Sequence, residues 1–240
     1  TSGARVPDSN WIEKNKERIV LCDATSAVFS QELDWEKLDA VSFSWQKVLG
    51  GEGGHGVIVL SPNAIRRLST FYPERPIPKI FRLVKNGKLI EGVYEGETLN
   101  TPSMFCIADA LDSLMWIKEI GGLTETIRRS NENFKCLQSW VDKTPWIENL
   151  VSDPRNRSNT SVCLKFSDER LISLVPDEKT RFVKEFVALL EAENAAFDIK
   201  GHRNAPPGLR IWCGATINLD DIQKLLPWLE YCFHEIISSY

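Results

Sequence analysis

Apolar positions along the chain occur either as short continuous runs or as longer stripes with helical spacing. The short runs are bounded by turn residues and predict buried β-strands. Six such runs are present: RIVLCDA (18–24), AVSFSWQ (40–46), GVIVL (56–60), SVCLKF (161–166), AFDIK (196–200) and LRIWCG (209–214). Between them lie segments whose period is helical, so the chain predicts an α/β protein.

Five segments predict helices. Pro62 begins the first of them, at a position where proline fits a first helical turn. A wide apolar stripe follows Pro102, and the pair Gly121-Gly122 ends it. The predicted helices span 62–71, 102–120, 123–141, 176–194 and 219–238. Residues 72–99 contain several prolines and glycines and predict an irregular segment. Its length indicates a function or a contact with a partner.

Composition restricts the class of protein. With 42% hydrophobic and 26% charged residues, the chain is typical of a globular domain that buries a core. Its net charge of −4 comes from mixed signs, so no nucleic-acid-binding surface is predicted. No apolar run approaches the roughly 20 residues of a membrane span.

The six cysteines indicate a reducing compartment. None forms a CxxC pair and the three histidines do not cluster with them, so neither a zinc site nor a disulfide framework is predicted. We therefore expect a cytoplasmic protein without a metal.

Two charged residues close neighbouring predicted strands. Asp23 ends the first strand and Lys47 ends the second. Ligands of open α/β sheets bind beyond the carboxyl ends of strands. The two residues are either a structural ion pair, or unrelated surface charges, or the lysine and carboxylate of a pyridoxal 5'-phosphate (PLP) site.

Several segments together resemble one family. The quoted segments are DATSA, SFSWQKVLGGEGGHG, NTPSM (100–104) and GHRNAPPGLRIWCG (201–214). They resemble the class V aminotransferases of fold type I, above all those that act on phosphoserine. The resemblance implies PLP as cofactor. It also implies an α/β fold in which residues 1–125 are the second half of a large PLP-binding domain, a mixed sheet with helices, and 126–240 are a small α/β domain.

The resemblance also implies roles for cofactor-binding residues. Lys47 is similar to the lysine that joins the cofactor aldehyde, and Asp23 to the partner of the pyridinium nitrogen. Gln46 is similar to the glutamine that contacts the cofactor phosphate. Asn100 and Thr101 are similar to the pair that reaches the phosphate of the neighbouring subunit, which implies a homodimer with shared sites.

Three further residues are implied to bind substrate. Arg210 is similar to the arginine that binds the α-carboxylate, and His202 and Arg203 to the pair that holds the substrate phosphate. The implied reaction exchanges 3-phosphohydroxypyruvate and glutamate with O-phosphoserine and 2-oxoglutarate by a ping-pong route, in serine biosynthesis.

The resemblance leaves alternatives. An alanine–glyoxylate or serine–pyruvate aminotransferase needs no phosphate pocket. Members of the family are longer than 240 residues, so we expect the first part of the large-domain sheet to lie upstream of Thr1 and these residues alone to have little activity. A truncated, non-catalytic paralogue that dimerises with a longer subunit is the third alternative.

Two more residues have open interpretations. His55, in the glycine-rich turn, either lines the site or is a solvated turn residue. Cys213 is either a structural buried thiol or a persulfide carrier, which would indicate a desulfurase.

Overall fold

The computed structural model describes residues 2–12 and 17–240. They form two compact units. The N-terminal unit comprises Ser9–Val28 and Leu33–Trp116, and the C-terminal unit comprises Thr1–Asp8, Phe29–Glu32 and Ile117–Tyr240. Among the described residues, no helix has both the length and the apolar character needed to cross a bilayer.

Both units contain strands and helices. The strands are β1 (Leu21–Asp23), β2 (Ala40–Ser44), β3 (Gly56–Leu60), β4 (Val84–Lys85), β5 (Lys88–Leu89), β6 (Ile147–Asn149), β7 (Ser161–Phe166) and β8 (Leu209–Trp212). The α-helices are α1 (Pro62–Thr70), α2 (Met104–Ile120), α3 (Gly122–Val141), α4 (Glu169–Ile172), α5 (Pro176–Ala192) and α6 (Leu219–Ile237). Short 3₁₀ turns lie at Trp35–Lys37, Lys79–Phe81, Glu91–Tyr94 and Pro154–Asn156.

A mixed sheet in the order β1-β2-β3 forms the centre of the N-terminal unit. β1 and β2 run parallel, with Asp23 beside Ser42. β2 and β3 are antiparallel, and Ser44 pairs with Gly56. Because β1 and β2 are parallel, their carboxyl ends meet at one edge of the sheet. The predicted mixed sheet is therefore confirmed.

Asp39 lies at the opposite edge of this sheet, where it connects the start of β1 with the end of β3 and the start of α1. Its carboxylate accepts hydrogen bonds from the Val20 amide at 2.9 Å, the Ser61 hydroxyl at 2.7 Å and the Asn63 side-chain amide at 3.1 Å. The Ser61 hydroxyl also accepts a hydrogen bond from the Ala64 amide, which caps α1. Asp39 thus fixes the start of α1 against the strands and has a structural role.

The C-terminal unit packs helices on an antiparallel sheet in the order β6-β7-β8. Its core includes the fully buried Phe182 and Phe186 of α5. Phe182 lies edge-on to Phe166 at 4.9 Å between ring centroids, and Trp146 stacks on Phe233 at 4.1 Å. These close aromatic pairs add to the stability that area burial provides.

The structure corrects several predicted boundaries. The first strand is only Leu21–Asp23 rather than 18–24, and the second ends at Ser44. The predicted strand 196–200 is wrong: the backbone of Asp198 has a φ of 52°, and only an isolated bridge joins Lys200 to Leu209. A left-handed residue interrupts a strand, which explains the error.

Two helix ends follow the sequence closely. α2 ends before Gly121 as predicted, and Gly121 has a φ of 120°. Gly122, with a φ of 76°, is the first residue of α3, which begins one residue earlier than predicted. Residues 72–99 contain the short β4 and β5 and two 3₁₀ turns, and most of their side chains are exposed. β6 was not predicted, because a strand of three residues, two of them polar, gives almost no periodic signal.

Candidate functional site

Asp23 lies at the carboxyl end of β1, where its carboxylate is held by the following turn. Oδ1 accepts hydrogen bonds from the Thr25 hydroxyl at 2.7 Å and the Thr25 amide at 3.0 Å. These hydrogen bonds, the hydroxyl first, hold the pKa of Asp23 below its ordinary value of 3.8. Asp23 is therefore an oriented carboxylate that stays ionised at neutral pH.

A cavity of about 690 Å³ lies beside this carboxylate, within the N-terminal unit. Asp23 and Thr25 line it together with Ser42 and Ser44 of β2. The remaining lining comes from Phe43 of β2, from the glycine-rich turn and the start of β3, and from four residues of the irregular segment, which are Ile80, Leu83, Val93 and Tyr94. A fixed charge in a concave surface that combines apolar and polar groups is typical of a small-molecule site.

Lys47 lies on the turn that follows β2. The Gly50 amide donates to the Lys47 carbonyl, and the Gly51 amide donates to the Trp45 carbonyl, both at 3.0 Å. Gly50 has a φ of 69°, so a glycine suits this turn. Val48 and Leu49, which follow Lys47, are buried and anchor the turn to the unit. Lys47 is half-buried and is not among the described residues that line the cavity of Asp23.

Gln46 approaches that cavity through the glycine-rich turn. A Cβ added at Gly53 would lie 3.5 Å from the Gln46 Cδ, so the side chain of Gln46 packs against the backbone of Gly53. Gly53 itself lines the cavity. Because β1 and β2 are parallel, Asp23 at the end of β1 and the turn with Gln46 and Lys47 after β2 lie at the same edge of one sheet.

Asn100 and Thr101 lie elsewhere in the N-terminal unit. They belong to the irregular stretch before α2, and both are exposed. Neither is among the described residues that line the cavity of Asp23. Within the described part of the single chain they are surface residues.

His202 and Arg203 line a second, smaller cavity, which lies within the C-terminal unit. Its volume is about 210 Å³, and Lys200 and Thr180 also line it. The Asn204 amide donates to His202 Nδ1 at 3.2 Å, which orients the imidazole. Three cationic or imidazole side chains around one cavity suit an anionic group.

Arg210 lies on β8, opposite Cys163 of β7. Its Nη2 is 3.6 Å from Asp198 Oδ2, and the Asp198 side chain is 92% exposed. An ion pair this exposed contributes little to stability. Among the described residues, those lining the cavity of His202 and Arg203 do not include Arg210.

Sequence reasoning missed the partners of the predicted residues. Thr25 was not predicted as a partner of Asp23, although Asp side chains commonly accept a hydrogen bond from the backbone amide two residues further on. The contacts of His55, whose role was left open, are a stacked ring with Trp45 and a hydrogen bond with Glu52. Tyr94 and Ile80 could not be assigned to a site, because no periodicity places an irregular segment.

The structural interpretation of Cys213 is favoured over the persulfide one. All six cysteines are free thiols, and Cys213 is fully buried. Burial raises the pKa of its thiol far above the ordinary value of 9.0. A buried, protonated thiol is a poor nucleophile.

Comparison with known sequences identifies the family. The sequence model of the family "Aminotransferase class-V" matches residues 3–185. This chain belongs to the class V aminotransferase family.

Within that family the chain is similar to phosphoserine aminotransferases. It is 47% identical to the phosphoserine aminotransferase of Methanosarcina barkeri, over 98% of this chain and 60% of the relative. It also resembles a solved PLP-bound phosphoserine aminotransferase from Trichomonas vaginalis, with a TM-score of 0.70, 20% identity, and coverage of 95% of this chain and 57% of that one.

A second solved structure shows that the fold alone does not distinguish between aminotransferase activities. The alanine–glyoxylate aminotransferase of Nostoc sp. matches with a TM-score of 0.69 and 18% identity, over 96% of this chain and 58% of that one. Both structures confirm the predicted α/β fold, and neither separates the two activities. This chain spans about 60% of the length of its relatives.

Proposed function

We propose that this chain is part of a PLP-dependent phosphoserine aminotransferase, which interconverts 3-phosphohydroxypyruvate and glutamate with O-phosphoserine and 2-oxoglutarate. Its 47% identity to the Methanosarcina barkeri enzyme over nearly the whole chain supports this activity. The structural observation that carries the proposal is the oriented Asp23 carboxylate at the sheet edge where the Lys47 turn also begins.

The described residues fit PLP. The cofactor has an aromatic ring whose nitrogen needs a carboxylate partner, an aldehyde that needs an amine, and a phosphate. Asp23 supplies an ionised carboxylate, Lys47 an amine, and Gln46 a neutral amide beside the open Gly53 backbone. When bound, PLP supplies an electron-withdrawing ring that stabilises negative charge at the substrate Cα.

Each of these side chains then has a defined task. Asp23 keeps the ring nitrogen protonated, because an ionised carboxylate favours a neighbouring cation. Lys47 would hold the cofactor through its amine and would move the proton at the substrate Cα as a general base. Gln46 orients the phosphate without adding a charge.

The C-terminal unit supplies the substrate contacts. The guanidinium of Arg210 already faces one carboxylate, that of the exposed Asp198, and its planar fork suits a substrate carboxylate in the same way. His202 and Arg203 line a cavity of a size that suits a phosphate group. The phosphate contact is the feature that distinguishes phosphoserine from serine.

A homodimer with shared sites is part of the proposal. Asn100 and Thr101 are exposed, as residues that reach a neighbouring subunit must be. They immediately precede α2, which carries five exposed large apolar residues: Met104, Phe105, Leu111, Leu114 and Met115. Exposed apolar surface of this kind marks an interface. Six free cysteines support a reducing compartment, and we propose the cytoplasm.

The substrate assignment is tested by comparing turnover of O-phosphoserine with turnover of serine. Arg203→Ala should lower kcat/KM for phosphoserine about 10- to 100-fold, the usual cost of one charge-assisted contact, and leave serine turnover unchanged. Arg75→Ala, which removes an exposed arginine of the irregular segment, is the matched control. Equal turnover of the two substrates by the unsubstituted protein would favour an alanine–glyoxylate or serine–pyruvate activity.

A further inference from the structure

Three side chains around the glycine-rich turn have contacts that the proposed reaction does not use. They are Trp45, Glu52 and His55, and we refer to them as the Trp45 cluster. The rings of Trp45 and His55 stack with centroids 5.4 Å apart and planes inclined by 16°. Glu52 Oε1 lies 2.6 Å from His55 Nδ1. Trp45 precedes Lys47 in the chain, and Glu52 and His55 follow it, so the cluster flanks the Lys47 turn on both sides.

Glu52 holds the histidine in place. Its carboxylate accepts the amides of Gly54 at 2.5 Å and of His55 at 3.0 Å, in addition to the bond with the imidazole. The Gly54 amide first, and then the His55 contacts, lower the pKa of Glu52. An ionised carboxylate at Nδ1 selects the tautomer in which that nitrogen carries the proton and donates it.

The stacked histidine in turn holds Trp45, where the lysine turn begins. The Trp45 carbonyl accepts the Gly51 amide at 3.0 Å, and a Cβ added at Gly51 would lie 3.4 Å from the Trp45 Cβ. Residues 45–51 are therefore closed into a loop at Trp45, and Lys47 lies inside this loop. The stacked His55 ring restricts the Trp45 side chain, whose Cβ and carbonyl form this closure.

Two residues of the Trp45 cluster, Glu52 and His55, also form a possible metal-binding group with Cys106, but the geometry does not favour a metal. Ligand atoms of Glu52, His55 and Cys106 lie within 4.8 Å of one another. However, nitrogen and oxygen ligands of a tetrahedral zinc ion, each about 2.0 Å from the metal, lie about 3.3 Å apart. The 2.6 Å between Glu52 and His55 is the length of a hydrogen bond.

We propose that His55, supported by Glu52 and stacked on Trp45, is a positioning residue that fixes the conformation of the Lys47 turn. This role rests on the proposed function insofar as Lys47 is the residue that binds the cofactor. His55 also lines the cavity of Asp23, so the cluster links the lysine turn to that cavity. The Trp45 cluster supports the cofactor attached at Lys47 and does not bind a separate ligand.

The first test measures amide hydrogen exchange in peptides covering residues 45–56, without cofactor. His55→Ala should raise the exchange rates of the Gly50 and Gly51 amides about two- to twelvefold, the range expected for loss of an aromatic stack. His55→Phe, which keeps the stacked ring, should restore most of the protection, and Glu52→Gln should have a smaller effect. Unchanged exchange in the C-terminal unit shows that the variants are folded.

Two controls make this test specific. His234→Ala removes an exposed histidine of α6 and should leave the loop unchanged. Cys106→Ser should also leave it unchanged, since the thiol has no part in the stack. The proposal is overturned if His55→Ala exchanges like the unsubstituted chain, if His55→Phe is as fast as His55→Ala, or if Cys106→Ser loosens the loop as much.

The second test uses the cofactor. With limiting PLP and borohydride, His55→Ala should acquire two- to twelvefold less pyridoxyl label on Lys47, and His55→Phe should approach the unsubstituted chain. Equal labelling of Lys47 in His55→Ala overturns the positioning role. Absence of label from Lys47 in the unsubstituted chain instead contradicts the proposed function, and the exchange data still decide whether the cluster fixes the loop.

Discussion

At the scale of single residues, the proposed site depends on the carboxylate of Asp23, which hydrogen bonds from the following turn orient. Asp23 receives two hydrogen bonds from Thr25 and is ionised before any cofactor arrives. Asp23 and Lys47 are candidates from the sequence because each ends a predicted strand and because their motifs resemble a known family; in the structure Lys47 lies on the turn after β2. It did not predict Thr25 or the stacked His55, since a side-chain contact depends on backbone angles that no residue pattern specifies.

The first prediction concerns the charge of Asp23. Thr25→Val removes the hydroxyl that donates to the ionised carboxylate, so the pKa of Asp23 should rise toward 3.8. The control Thr25→Ser keeps a hydroxyl and should keep the low pKa. An NMR titration of the Asp23 carboxyl resonance measures both variants. A pKa in Thr25→Val equal to that of the unsubstituted chain would show that the hydroxyl does not set it.

The sign of the pH dependence follows from this shift. A carboxylate whose pKa is lowered by folding stabilises the fold above its unfolded pKa, and this contribution is lost as the pH falls through the folded value. Asp23 is exposed, so its contribution to stability is small. We expect Asp23 to stay ionised in mildly acidic solution. If cofactor binding weakens as the pH falls just below neutral, a group other than Asp23 is responsible.

At the scale of secondary-structure elements, prediction was good wherever burial imposes a period. β7, α3, α5 and α6 lie within a few residues of their predicted positions, because each buries apolar residues. β3 also lies where the run GVIVL predicts a strand, but its side chains are largely exposed, so the prediction that it is buried is wrong. The strand at 196–200 was predicted from apolar residues alone, but Asp198 adopts a left-handed backbone. The irregular segment 72–99 lines the cavity of Asp23, and its contribution to the site became visible only in three dimensions.

The second prediction tests the core of the C-terminal unit. Phe186 is fully buried in α5, with its ring 5.3 Å from that of Phe166. Phe186→Ala should lower the free energy of unfolding by about 3–5 kcal/mol, because it removes a buried ring and leaves a cavity. The matched control, Phe197→Ala, removes a ring that is 65% exposed and should change stability by less than about 1 kcal/mol. Urea unfolding measures both, and equal losses would contradict the assigned core.

At the scale of the whole molecule, the proposed site requires more than one copy of the chain. The residues similar to the partner-reaching pair, Asn100 and Thr101, lie on the surface next to the exposed apolar residues of α2. The division predicted at residue 125 and the roles of all eight site residues stay predictions. The sequence could suggest a dimer only through resemblance, because no periodicity encodes which surface a second copy covers.

The third prediction concerns this surface. Leu111→Lys or Met115→Lys introduces a charge among the exposed apolar residues of α2 and should weaken dimerisation about tenfold or more. Ile172→Lys, at a position that is 57% exposed in α4, is the control and should leave the dimer intact. Sedimentation velocity over a range of concentrations measures the equilibrium. A chain that stays monomeric throughout, or a control as disruptive as the α2 variants, would contradict the assignment.

The most direct test of the account is chemical. The protein is mixed with excess PLP, reduced with borohydride and digested, and the pyridoxyl-modified peptide is identified by mass spectrometry. We predict modification of the peptide containing Lys47, strongly reduced in Asp23→Ala and abolished in Lys47→Ala. Selective modification of a different lysine, or none at all, would contradict the proposed cofactor site and favour a non-catalytic paralogue.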